Sequence, residues 1–309
     1  MDTIPEELLS DILGYCLDQP PEHLLAFSAR WRNPSRKQSE HSTPSEAVPP
    51  TTQAHTDPPS SAQQWIPPSR SSPLLVSKQW LRVSSPFFYR AVKVSSSADV
   101  STLHALFDRH PCLGHAVRTL RIESADSTAL QGLLRRLPNV QTVYVALQLL
   151  ELEGGEELEG APHADGDENV VTRFVDALRE LDPAQLYVWK KYGRTSAIVD
   201  AVETALGEAV IPRWTRLTHV AFSQQYEIPP AMSQSLRVLP RLRTLRMGGH
   251  GALCSLMRGS LQVVAENPAL ENGAVTCVGG ASAFYVGEGR RMFPGRAAEL
   301  LVVGPGADN

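Results

Sequence analysis

The string "HPCLGH", residues 110–115, gathers two imidazoles and a thiol, and His104 lies about a turn upstream. Three or four N and S ligands of this kind can hold zinc in a tetrahedral site. No second cysteine pair accompanies them, and Pro111 and Gly114 read as a helix-to-strand turn. His250 and Cys254 stand four apart on a predicted helix, with nothing nearby in sequence to complete a site. The glycine-bearing turns "GGHG" (248–251) and "VGEGRR" (286–291) lack the strand–helix frame that fixes the glycines of a phosphate or dinucleotide loop. GxSxG, HExxH and the protein-kinase set are absent. The stretch 151–168, "ELEGGEELEGAPHADGDE", carries eight acidic residues and no lysine or arginine, but its spacing does not match a calcium-binding EF-hand. It reads as a solvated acidic loop. These strings predict a protein without catalytic residues, metal or cofactor.

The elements that would position any functional residue follow a recurring phrase. "VRTLRI" begins at Val117, "VQTVYV" at Val140, "LTHVAF" at Leu217 and "LRTLRM" at Leu242, all apolar-x-x-apolar-x-apolar. "PAQLYV" (183–188) and "AAELLV" (297–302) fit the last two apolar positions. The starts are 23, 43, 34, 25 and 55 residues apart, and the longest gap has room for a degenerate unit near "LENGAVTCV", 270–278. Helix-like segments fill the intervals, among them "STALQGLLRRL", "NVVTRFVDALREL", "AIVDAVETALGEAV" and "LCSLMRGSLQVVAE". A short strand followed by a helix, repeated at this period, predicts an α/β fold of the irregular leucine-rich-repeat-like solenoid type. A compact α/β fold with the same alternation is the alternative. Strand residues alternate faces, so the apolar positions point inward and the intervening ones form exposed columns. One column holds Arg121, Tyr144, Tyr187, Ala221 and Arg246; the next holds Thr119, Thr142, His219 and Thr244. Tyrosine and arginine are enriched at interface hot spots, so Arg121, Tyr144, Tyr187 and Arg246 are the expected substrate-binding residues.

The N-terminal third is organised differently. Thr3 and Glu6 have capping-box spacing and Pro5 suits a first helical turn. Leu8, Leu9, Ile12, Leu13 and Cys16 then cover nearly half a helix circumference, broad for a surface helix. Residues 31–73 contain nine prolines, nine serines and no leucine, a composition that cannot offset its ordering entropy by burial. They are expected to form a disordered insertion. After it, "LLVSKQWLRVSSPFFYRAV" (74–92) sets Val76, Trp80 and Val83 on one helical stripe and Leu74 and Leu81 on the nearly opposite one. Two helices whose apolar surface exceeds what the pair can bury call for a partner helix.

"IPEELLSDIL" (4–13) and "LLVSKQWLRVSSPFFY" (74–89) resemble the two halves of an F-box, the helical motif that docks substrate receptors on the Skp adaptor of cullin–RING ubiquitin ligases. The leucine-proline-x-glutamate half maps onto Ile4, Pro5, Glu7, Leu8, Leu9 and Ile12. The valine-cysteine-lysine-x-tryptophan half maps onto Val76, Ser77, Lys78, Gln79 and Trp80, with serine in place of cysteine. The likeness is to F-box proteins of mushroom-forming (basidiomycete) fungi, and "LGHAVRTLRIES" (113–124) is similar to the first repeat of that group. The Pro/Ser-rich insertion sits where F-boxes keep a middle helix, for which "PEHLLAFSARW" (21–31) is the remaining candidate. The resemblance implies that Ile4, Pro5, Leu8, Leu9, Ile12, Leu75, Val76, Trp80 and Leu81 bind the adaptor.

Together these readings predict an F-box-like helical module over 1–92, interrupted at about 31–73, and a repeat-like substrate-binding domain over 93–309. The expected role is non-catalytic: substrate recognition within a Skp–cullin–F-box ligase, with an unidentified protein as substrate. A leucine-rich-repeat scaffold that no longer binds the adaptor is the alternative, and an enzyme with an unrecognised site the third reading. The composition, 42% hydrophobic and 20% charged with a net charge of −4, gives no sign of nucleic-acid or membrane-surface binding. Four scattered cysteines without a CxxC pair, no basic leader and no run of roughly 18 apolar residues predict a reduced protein of cytoplasm or nucleus.

Overall fold

Every strand phrase becomes a parallel strand, because its two apolar positions two residues apart give each short strand one face to bury. The computed structural model describes residues 77–123, 129–147, 164–190, 197–223, 225–270, 275–278, 282–293 and 295–304. These fall into two units divided between Phe87 and Phe88. The expected first helix, the insertion at 31–73 and residues 151–163 of the acidic stretch lie outside the described residues.

Among the described residues of the second unit eight strands form one sheet, all parallel and in strict chain order. They are β1 (Ala91–Val94), β2 (Thr119–Ile122), β3 (Thr142–Ala146), β4 (Gln185–Trp189), β5 (His219–Phe222), β6 (Thr244–Gly248), β7 (Val275–Val278) and β8 (Leu301–Val303). The class is α/β. Leu120, Val143, Leu186, Val220, Leu245, Val275 and Leu301 form one inward row; Ile122, Val145, Val188, Phe222, Met247 and Cys277 form a second. Both rows are buried in a single core with the helices between strands. The starts of β2 to β6 are each fixed by a shared carbonyl. Arg90 O accepts from the N–H groups of Arg118 and Thr119, and Arg118, Gln141, Ala184 and Thr218 repeat this one strand further on each time.

Two strands depart from the sequence expectation. The boundary between residues 92 and 93 falls inside β1, whose Tyr89-x-x-Val92-x-Val94 obeys the same phrase. At the other end, "AAELLV" predicts Leu300 and Val302 inward. Instead Val275 pairs with Leu301, so Val302 faces outward and Leu300 ends a helix. The one-residue slip follows from a second phrase, Ala298-x-x-Leu301-x-Val303, and a slip of one reverses every side chain.

The helices between strands pack in succession along one side of the sheet. α1 (Lys78–Phe88) belongs mainly to the first unit. It is followed by α2 (Ser97–Arg109), α3 (Pro111–Ala116), α4 (Leu130–Arg135), α5 (Ala164–Leu178), α6 (Ala197–Ala205) and α7 (Pro230–Val238). The last four are α8 (Gly249–Met257), α9 (Ser260–Ala265), α10 (Ser282–Met292) and α11 (Arg296–Leu300). α2 starts where Ser96 Oγ accepts from Asp99 N at 3.2 Å, an N-cap that satisfies an otherwise orphaned donor. α5 begins inside the acidic stretch, so residues 164–168 are helical; carboxylate-rich sequence is compatible with a helix N-terminus. α6 runs into a π-helical turn at Leu206–Val210, where a Cβ on Gly207 would lie 2.6 Å from Met232 N. Only glycine allows that approach of α7, and Ser235 Oγ donates to the Gly207 carbonyl. The string 253–266, read as one helix, is two: Gly259, at φ 80°, breaks it. Among the described residues no helix is long and apolar enough to cross a membrane.

Candidate functional site

Since the helices take one side of the sheet, the outward strand positions make up its other side. The strand register aligns Lys93, Arg121, Tyr144, Tyr187, Ala221, Arg246, Thr276 and Val302 in one row across all eight strands. Ala91, Thr119, Thr142, Gln185, His219 and Thr244 form the row beside it. Every residue expected in the two columns is therefore in them, and Ala91, Lys93, Gln185, Thr276 and Val302 join. Adjacent members are about 4.8 Å apart, the spacing between strands.

The Tyr144 and Tyr187 rings stack, with centroids 4.4 Å apart and planes at 14°. The Tyr144 hydroxyl is shut off from solvent, and among the described residues no group meets hydrogen-bonding geometry with it. Burial first, then the neighbouring Tyr187, raises the Tyr144 pKa; burial also raises that of Tyr187, against the lowering effect of Arg246. Beyond Tyr187 comes Ala221, whose single methyl leaves a notch between the tyrosine and the exposed Arg246. In the second row Thr142 Oγ1 donates to Gln185 Oε1 at 3.3 Å. Partial burial and the charge of Arg243 lower the His219 pKa.

Arg121 is on the expected face but not open to solvent. It is 9% exposed, with its guanidinium against the Glu123 carboxylate. Lys93 Nζ reaches the same carboxylate at 2.7 Å and Ser95 Oγ donates to it at 3.2 Å. A nearly buried carboxylate draws in both cations, because an unpaired charge there would be costly. Glu123 lies two positions after Arg121, the spacing that puts both on one face.

Of the expected adaptor-binding residues, Ile4, Pro5, Leu8, Leu9, Ile12, Leu75 and Val76 lie outside the described residues. Trp80 and Leu81 are on α1, which Ser77 caps by accepting from Trp80 N at 3.2 Å. Trp80 is half-buried and Leu81 is 46% exposed.

The chemically reactive side chains are dispersed. Among the described residues no group of three or more His, Cys, Asp or Glu converges as a metal site. Cys112 is exposed at the start of the short helix α3, and Cys254 Sγ lies 3.8 Å from His250 Nδ1. Burial pushes the Cys277 thiol up to about 11 and raises that of Cys254, so neither is poised as a thiolate at neutral pH. A buried ion pair, Lys190 Nζ to Glu203 Oε2 at 2.9 Å, ties the end of β4 to α6. Burial raises the Glu203 pKa and holds the nearby Tyr226 phenol well above its ordinary value. Grooves of about 600 and 710 Å³ run elsewhere, past Met292 and Arg296 and past Val238 and Pro268.

Comparison with known proteins found no matching family model, no similar curated protein and no similar solved structure.

Proposed function

We propose that this chain is a non-catalytic substrate-recognition subunit of a Skp–cullin–F-box ubiquitin ligase. The N-terminal helices dock the adaptor, and the sheet, as an irregular leucine-rich-repeat-like solenoid, holds a target protein. The repeat reading is supported by register-matched positions recurring 23 residues apart from Thr119 to Thr142 and 43 from Thr142 to Gln185. The shared carbonyl ahead of five successive strands supports it too. The observation that carries the functional reading is a strand face bearing stacked Tyr144 and Tyr187 beside the exposed Arg246. Aromatic and arginine side chains on a rigid, continuous surface suit protein recognition.

The test is a pull-down of adaptor and cullin by the full chain and two variants. Leu8→Asp sets an unpaired charge in an apolar interface, which costs enough to weaken adaptor capture by orders of magnitude while the chain stays folded. Trp80→Ala acts on the module itself; because Trp80 is half-buried, its stability cost falls below the ~3–5 kcal/mol of a fully buried tryptophan. Adaptor capture by Leu8→Asp equal to that of the parent chain sinks the F-box assignment and leaves a repeat scaffold.

A further inference from the structure

Several arginines among the described residues are matched to carboxylates. Arg135, Arg136, Arg179, Arg237, Arg258 and Arg291 each sit against a carboxylate. Arg216, Arg241, Arg243 and Arg246 do not: all four are exposed, and among the described residues none has a carboxylate partner for its guanidinium. The register brings them together. His219 pairs with Thr244, so Arg216 and Arg241 occupy equivalent turn positions ahead of β5 and β6; Arg243 N donates to Thr218 O at 2.9 Å. Arg246 pairs with Ala221 on the outward row. The nearest acidic group in sequence register, Asp182, is occupied by the backbone N–H of Arg216 at 3.0 Å and the Thr215 hydroxyl at 2.9 Å. A chain of net charge −4 thus keeps unmatched positive charge in the turns ahead of β5 and β6 and on β6 itself, beside the Tyr187–Ala221 notch.

We propose that this part of the outward strand face, together with the turns leading into it, binds an acidic segment of the partner protein, its carboxylates meeting Arg243 and Arg246 and one apolar or aromatic side chain entering the notch at Ala221. The proposal rests on reading the face as a protein-binding surface and names the chemistry of what it takes. Arginine forks match carboxylates bidentately, and an aromatic ring in the notch would also lie against the Arg246 guanidinium. The cationic patch is two strands wide, roughly 10 Å across, which spans a few residues of extended peptide. Nucleic acid is disfavoured by that width, since its binding draws on many phosphate contacts along a longer track.

Fluorescence anisotropy with the full chain tests this. The probes are a short glutamate-rich peptide carrying one phenylalanine, the same peptide with lysine for glutamate, and an oligouridylate. The acidic peptide should bind and the lysine peptide should not. Raising salt from about 0.1 to about 1 M, which shortens the screening length from ~10 to ~3 Å, should weaken the complex. Arg243→Glu combined with Arg246→Glu should lower affinity at least about tenfold. Arg243→Lys with Arg246→Lys should retain most of it, and Arg109→Glu, on an exposed site elsewhere, should change nothing. Equal binding by the double Glu variant, equal binding of the lysine peptide, or tighter binding of the oligouridylate overturns the proposal. Adaptor capture is scored separately. Peptide binding lost with adaptor capture intact overturns the acidic partner alone; adaptor capture lost with peptide binding intact overturns the ligase reading alone.

Discussion

The Tyr144 hydroxyl has been taken from water and has no partner among the described residues, and a buried hydroxyl in that state costs about 1–3 kcal/mol. Tyr144→Phe is therefore expected to leave stability in urea unchanged or to raise it; a loss above ~1 kcal/mol would mean the hydroxyl has a partner after all. The pH dependence has a definite sign. Burial raises the folded pKa of Tyr144 and Tyr187 above the ordinary value near 10, so both contribute stability that is complete below about pH 10 and lost as pH rises toward the folded values. Tyr144→Phe with Tyr187→Phe should flatten that alkaline decline, measured as the urea midpoint at neutral pH and near pH 11. An unchanged decline would exclude these phenols as its source. Period-two alternation was enough to put Arg121, Tyr144, Tyr187 and Arg246 on one face from sequence alone. Which of them stays open was not legible, because that depends on Glu123 holding Arg121 and Lys93.

Asn267 shows what holds one strand–helix unit to the next. It is 1% exposed; Nδ2 donates to the carbonyls of Leu236 at 2.7 Å and Leu239 at 2.9 Å, while Oδ1 accepts from Ala269 N at 2.8 Å. Its side chain closes the end of α7 and the turn after α9 at once. Asn267→Leu keeps approximate volume but strips three backbone groups of their partner, so a loss of at least ~2 kcal/mol in the urea-derived stability is expected. A change within about 0.5 kcal/mol, the range of an ordinary surface substitution, would mean that water or a local shift replaces those bonds. In sequence this residue is only one polar letter in a turn, since the two carbonyls it bonds lie 28 and 31 positions away. Strands were legible wherever the apolar phrase stood alone. β1 was obscured because Tyr89, Val92 and Val94 follow directly on the helical spacing of 74–89, and β8 because two overlapping phrases fit "AAELLVV". The break at Gly259 needs a positive φ, which apolar periodicity does not encode.

At the scale of the molecule, strict chain order is the property with the largest consequence. Among the described residues each strand pairs only with its neighbours in sequence, and no long-range pairing ties β8 to β2 or β3. Stability in such an array is approximately a sum of local units and nearest-neighbour interfaces. In an all-or-none domain, a destabilising change speeds exchange of all the slowest amides by one common factor. Leu301→Ala separates the two cases. Leu301 is 1% exposed and belongs to the terminal strand, so its truncation costs at least ~2.7 kcal/mol, or about a hundredfold in local opening. Hydrogen exchange should accelerate by that order in 275–278 and 301–303, with amides of 119–122, 142–146 and 185–189 close to their parent rates. Equal acceleration in both sets would show a single cooperative core and would remove the physical basis for treating the sheet as a stack of repeats. With the graded outcome, the tyrosine–arginine face stays intact when the C-terminal end opens, because β3 to β6 depend mainly on one another.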